Sequence, residues 1–284
     1  MMERYYSFAG VDITLAMPEE RFYAKDRALK AFLSEPGTAP HRFDFVFVDA
    51  LKMPIGKPIA EPGGFVAYAE GNADVRYFGS VQNECENAYL RAEHRGKDHL
   101  IQVKNSTVPG RIGTHTVLGA LSAEHLVLDA GGVVLHASYI LRGGKAILFT
   151  APSGTGKSTQ ADLWKDLRGA QIINGDRAVI RMVDGQAFAC GIPFAGSSQY
   201  CENVTAPLSA IVYLAQAPQT TISRLTGFRA FRQVWEGCSV NTWDRVDMEK
   251  ATKIVEQIIG QVPVYYLPCT PDETAVTALE GVLA

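Results

Sequence analysis

A chain of 284 residues with 47% hydrophobic and 20% charged content can bury one large core or two modest ones, which argues against disorder. Its 27 Lys and Arg against 30 Asp and Glu leave a formal charge of −3, so no broad nucleic-acid surface is expected and small-molecule or peptide partners are favoured. No window holds the apolar run of a membrane helix, and the start, MMERYYSFAG, has no apolar segment behind a basic stretch. The five cysteines (Cys85, Cys190, Cys201, Cys238 and Cys269) form no CxxC pair, so reduced thiols in a cytoplasmic protein are the expectation.

Up to about residue 125 the sequence is rich in short alternating segments: Tyr5 to Met17, Phe43 to Ala50, Phe65 to Ala69 and Val75 to Phe78. Glu70, Gly71 and Asn72 predict a hairpin between the last two, and His94 to Asp98 predict another between Ala88 to Glu93 and Leu100 to Lys104. Residues 1–125 are therefore read as a β-rich N-terminal domain, and 126–284 as a second domain. From Thr116 to Leu128 the apolar residues recur at helical spacing until Gly131-Gly132 ends the pattern, which places the boundary there.

Val133 to Ile140 and Lys145 to Thr150 are two apolar strands joined across Arg142, Gly143 and Gly144, which predicts an antiparallel hairpin and not a βαβ crossover. Ala178 to Met182 and Ala187 to Cys190 flank Asp184-Gly185, a second strong hairpin signal. The fold class expected is α/β with a mixed sheet. Further on, Met248 to Ile259 has a one-sided apolar stripe closed by Gly260, Val264 to Leu267 is a buried strand, and Thr270-Pro271-Asp272-Glu273 reads as a capping box opening a last helix. Trp164, Trp235 and Trp243 are expected in the core.

Between the strand at 145–150 and an amphipathic helix from Lys157 lies APSGTGKST, Ala151 to Thr159. In a strand, loop, helix setting this is a phosphate-binding loop: successive backbone N–H groups and a helix N-terminus converge on an anion. Ser153, Gly154, Thr155, Gly156, Lys157, Ser158 and Thr159 are the expected ATP-binding residues. Lys157 would reach the β- and γ-phosphates, Ser158 would give its hydroxyl to Mg²⁺, and Thr159 would lie near the α-phosphate. The first glycine of the usual pattern is Ala151 here. Asn174-Gly175-Asp176-Arg177 then ends a short strand, and Asp176 there either helps to hold Mg²⁺ and take the acceptor's proton, or only caps a turn.

LHASYILRGGKAILFTAPSGTGKSTQADLW followed by GAQIINGDRAVI resembles the kinase domain of HPr kinases and their relatives, whose core is similar to that of phosphoenolpyruvate carboxykinase. The resemblance covers about residues 130 to 284. It implies a P-loop core of that type, with Asp176, His136 and Lys157 in catalytic roles and Ser158 and Asp176 at the metal. It also implies transfer of the γ-phosphoryl group of ATP to a hydroxyl, a serine for choice, of a peptide, protein or small molecule. The nearer relatives are kinases of peptide serines and of free serine. Two departures stand out: Gly175 replaces one member of the family's acidic pair, and GIPFAGSSQY at Gly191 to Tyr200 replaces the glycine-rich, Arg-containing signature of the bifunctional enzymes. An ATP-binding regulatory protein without phosphoryl transfer is the alternative that Gly175 keeps open.

His136 alone on an apolar strand also reads as a core histidine. Gly196, Ser197 and Ser198 either line an acceptor pocket or belong to an ordinary loop; Arg224, Arg229 and Arg232 could serve the phosphoryl group, while Arg229 and Arg232 at helical spacing also read as a solvated face. No nucleic-acid or membrane partner is expected, and a homo-oligomer is allowed.

Overall fold

Local sequence signals account for most of the strands in the computed structural model, which describes residues 1–18, 27–37, 39–81, 87–107, 112–194, 196 and 198–283. Cys85 and Ser197 lie outside the described residues. The chain divides into two compact units, residues 1–7 with 11–123 and residues 8–10 with 124–284.

The first unit is built on β1 (Met2–Phe8), β2 (Val11–Met17), α1 (Arg27–Lys30), β3 (His41–Val48), β4 (Phe65–Glu70), β5 (Ala73–Gly79), β6 (Ala88–Arg95), β7 (Asp98–Lys104) and α2 (Thr114–Ala120). Its seven strands form one sheet in the order β1-β2-β3-β7-β6-β5-β4. Both expected hairpins are present and tight: Glu70 pairs with Ala73, and Arg95 with Asp98. The parallel pairings of β3 with β2 and β7 make the sheet mixed, which local patterns do not reveal because partners far apart in sequence set them. The expected helix from 116 to 128 is two: α2 stops at Ala120, Ser122 turns left-handed at φ 53°, and α3 (Ala123–Asp129) resumes. A serine in that conformation cannot continue a right-handed helix.

The second unit continues with β8 (Gly132–Arg142), β9 (Lys145–Thr150), α4 (Lys157–Arg168), β10 (Gln171–Asn174), β11 (Arg177–Val183), β12 (Gln186–Cys190) and β13 (Thr205–Gln216). It ends with β14 (Ser223–Leu225), α5 (Gly227–Glu236), β15 (Cys238–Ser239), α6 (Arg245–Gln261), β16 (Val264–Cys269) and α7 (Glu273–Leu283). The nine-stranded sheet is mixed: β8 and β9 are antiparallel, as Gly143 and Gly144 at φ 56° and 75° require, while β9, β13 and β16 run parallel. The Asp184-Gly185 turn closes β11 onto β12.

Both faces of this sheet are covered, which explains its near-continuous apolar strands. Leu135, Leu148 and Ile211 pack with Val234 of α5 and Val255 and Ile258 of α6. Ile140, Phe149 and Val212 pack with Trp164 of α4 and Val276 and Leu279 of α7. Trp164 is fully buried, and its truncation to Ala would cost about 3–5 kcal/mol. Trp235 and Trp243, expected in the core, are only half-buried; Trp235 stacks on Phe231 at the core's edge.

Two helix ends differ from the sequence reading. Gly260 lies inside α6, and Val262 is the C-cap because Pro263 behind it forces an extended backbone. At α7 the cap is Asp272, whose carboxylate accepts the Thr274 N–H at 2.9 Å, so Thr270 and Pro271 stand before the helix.

Candidate functional site

The segment from Ala151 to Thr159 leaves the end of β9 and enters α4. Gly154 and Gly156 have φ of 78° and 118°, conformations that glycine adopts without strain. Gly156 is the N-cap of α4 and no side chain caps the helix, so its first N–H groups are available to an anion. Ser153, Ser158 and Thr159 are exposed, and Thr155 is half-buried. Lys157 is buried, with Nζ donating to the carbonyls of Ala151 at 3.0 Å and Pro152 at 3.3 Å. Burial pushes its ammonium below the usual lysine value, and the charge of Asp176 opposes that shift.

Asp176 is presented by a turn built on Asn174. The buried Asn174 side chain accepts from the N–H groups of Asp176 at 2.9 Å and Arg177 at 3.0 Å, while its amide donates to Phe194 O at 2.8 Å. The Asp176 carboxylate lies between two side chains from paired strands: Oδ1 is 3.4 Å from His136 Nε2, and Oδ2 is 3.5 Å from Arg177 Nε. His136 is one-third exposed, and its only described side-chain partner is Asp176.

The segment after β12 closes over this turn. A Cβ at Gly196 would stand 2.6 Å from Asp176 Cβ, and one at Gly175 would stand 2.9 Å from Ser198 Cβ, so both glycines are required by close approach. Arg177 is fixed by the Phe194 ring, 4.3 Å from its guanidinium carbon, and by a 2.7 Å hydrogen bond to Ser239. Sequence reasoning missed Asn174, Arg177 and Ser239. A buried amide shows no local pattern, and Ser239 arrives from a distant strand. Arg224 on β14 and Arg229 and Arg232 on α5 lie exposed, with Arg232 paired to Glu236.

Beside the loop, at the carboxyl ends of β13 and β16, is a cavity of about 540 Å³ lined among others by Thr155, Thr159, Gln160, Leu214, Gln216 and Cys269. Gln160 is buried, its Nε2 donates to Cys269 Sγ at 3.5 Å, and its Oε1 has no partner among the described residues. The cavity is of ligand size and mostly apolar with a few polar groups. Neither β13 nor this cavity was read from the sequence.

No family model matches the chain, and no curated protein matches it. Among solved structures it is similar to the HPr(Ser) kinase/phosphatase from Coxiella burnetii, with 11% identity over 52% of this chain and 95% of that chain and a TM-score of 0.31. At that score the likeness carries no argument about activity, which rests on the residues themselves. Among the described residues no helix is long and apolar enough to cross a membrane, and no three His, Cys, Asp or Glu side chains gather into a metal cage.

Proposed function

We propose that the chain is an ATP-dependent kinase with a phosphoenolpyruvate carboxykinase/HPr kinase-like P-loop core, which transfers the γ-phosphoryl group to a hydroxyl of a peptide, protein or small molecule, with serine as the acceptor group. One observation carries it: the strand that feeds the uncapped N-terminus of α4 pairs Thr150 with Ala137 of β8, and the Ala137 N–H donates at 2.9 Å to the carbonyl of Asp176, whose carboxylate is flanked by an imidazole. An anion-binding loop alone would suit many ligands. A carboxylate and a histidine beside it supply what a hydroxyl acceptor needs, a group that takes its proton.

The residues fit the groups this chemistry requires. Gly154, Gly156 and the open first turn of α4 suit a triphosphate, and the neighbouring cavity is large enough for the nucleoside. Ser158 and Asp176 would hold Mg²⁺, with phosphate oxygens and water completing its oxygen shell. Magnesium, when bound, neutralises phosphate charge. Lys157 holds the phosphates, Asp176 with His136 takes the acceptor's proton, and the loop over Asp176 at Gly196 and Ser198 lines the acceptor's approach.

A second reading, an ATP-binding regulatory protein, is favoured by one contact. Ser198 closes position 175 to any side chain, so the site has one acidic residue where an acidic pair would separate metal and base roles. One experiment decides between them: incubation with ATP, Mg²⁺ and serine-containing peptides or free serine, read by mass spectrometry. A mass gain of one phosphate supports the kinase, and ATP binding without any gain across the acceptors supports the regulatory reading.

A further inference from the structure

We propose that Arg177 is the residue that takes up the charge of the phosphoryl group in transit, a role that rests on the phosphoryl-transfer reading above. Arg177 is the register partner of His136 across β11 and β8, and its Nε lies 3.5 Å from Asp176 Oδ2. It therefore belongs to the same small cluster as the carboxylate and the imidazole.

The way Arg177 is held differs from that of the chain's structural arginines. In the first unit, Arg91 is 1% exposed and all three of its nitrogens are engaged, by Tyr77, Glu93, Gln102 and Glu70. Arg177 is 24% exposed and is fixed by the Phe194 ring, the Ser239 hydroxyl and the Asp176 carboxylate, while its Nη2 has no partner among the described residues. The Phe194 ring and the Ser239 hydroxyl orient the guanidinium without adding negative charge, and Asp176 meets it at 3.5 Å with no hydrogen bond to Nε. The charge balance points the same way: Lys157 and Arg177 are two cations beside the single carboxylate of Asp176. The guanidinium keeps its charge at any working pH and presents a planar fork of donors suited to phosphoryl oxygens.

In the transfer, the acceptor oxygen forms a bond to Pγ as the bond from Pγ to the oxygen of the β-phosphate breaks. The acceptor's proton passes to Asp176 or His136, and the electron pair of the broken bond leaves with ADP. Arg177 exchanges no atom. Its N–H groups stabilise the charge spread over the three equatorial oxygens, an effect that is small for bound ATP and large at the transition state.

The test needs no acceptor, because MgADP with fluoroaluminate imitates the phosphoryl group in transit. Affinities for MgADP alone and for MgADP–fluoroaluminate are measured by calorimetry on the full chain and on the variants Arg177→Ala and Arg177→Lys. Circular dichroism and a urea midpoint establish that each variant is folded, and Arg177→Lys, which keeps an aliphatic stem and a positive charge, serves where the alanine variant does not fold. The expected result is a variant affinity for MgADP within about threefold of wild type and a loss of at least about fiftyfold of the extra affinity for the fluoroaluminate complex. The smaller loss is expected in Arg177→Lys. A wild type that gains affinity from fluoroaluminate and variants that keep the gain overturn the role of Arg177 alone. A wild type that binds MgADP with no gain overturns the phosphoryl-transfer reading, and the role of Arg177 with it.

Discussion

Gly175 and Ser198 pack so closely that a Cβ at position 175 would stand 2.9 Å from Ser198 Cβ, closer than real side-chain contacts come. The absence of a second acid beside Asp176 is therefore built into the way the segment after β12 closes over the turn. Gly175→Ala is expected to destabilise the protein by about 1–3 kcal/mol, the usual cost of overpacking. Ser198→Gly in the same chain should recover much of that loss. Urea unfolding of the two single variants and the double variant measures the coupling, and additive effects would refute the contact.

Lys157→Ala is expected to abolish tight ATP binding and leave the fold in place. Its ammonium is held by two carbonyls of its own loop, so the loss of stability should be about 1 kcal/mol, while the loss of affinity reflects a missing charge at the phosphates. Calorimetric titration with ATP checks this, and unchanged affinity would mean that the loop is not the nucleotide site.

Asp176→Asn should keep ATP affinity within about tenfold and lower phosphoryl transfer by at least about a hundredfold, because an amide of the same shape neither accepts the proton nor neutralises the metal. The turn itself should survive, since Asn174 builds it through backbone groups. Single-turnover phosphorylation of an identified acceptor is the measurement. Near-normal turnover would transfer the base role to His136.

Cys269 lines the cavity proposed for the nucleoside, and burial pushes its thiol up, so labelling should be slow at neutral pH. At pH 8.5, maleimide modification of the peptide containing Cys269 is expected to slow at least about fivefold with saturating ATP, by occlusion. Equal rates with and without ATP would place the nucleoside elsewhere.

His125 on α3 and Asp247 on α6 form a 2.8 Å pair, with Asn241 donating to the other oxygen of the buried Asp247. The hydrogen bond to Asp247 raises His125 above its ordinary value of 6.5. Burial pushes the Asp247 carboxyl up, but the hydrogen bonds from His125 and Asn241 outweigh it and hold the group below 3.8. The His125 contribution is thus fully present below about pH 6.5 and is lost as pH rises through the raised folded value; that of Asp247 is present above about pH 3.8 and is lost as pH falls through its depressed value. The urea midpoint of the wild type should fall between pH 6 and pH 8.5, and His125→Ala should flatten that fall. The same slope in both proteins would show that the pair does not set it.

Much of the second unit was legible in the sequence because its signals are local. The Gly143-Gly144 and Asp184-Gly185 turns announce their hairpins, and GKST announces the junction of β9 with α4. What escaped depends on partners far away in the chain. The middle of β13, Ala210 to Val212, is buried on both faces and shows no alternation there. Arg177 and Asn174 acquire meaning only when Phe194 and Ser239 are brought to them.

One strand joins the two halves of the site. The outer half of β8 pairs with β9, which feeds the phosphate loop, and with β10, which delivers the Asp176 turn; its inner half pairs with β11 and β15, which carry Arg177 and Ser239. Lys157, Asp176 and Arg177 therefore hang from a single hydrogen-bonded ladder, and their spacing is set when the sheet forms. Amide protons along β8 should be among the slowest in the unit to exchange with deuterium, and bound nucleotide should slow them little, because the frame it binds is already assembled.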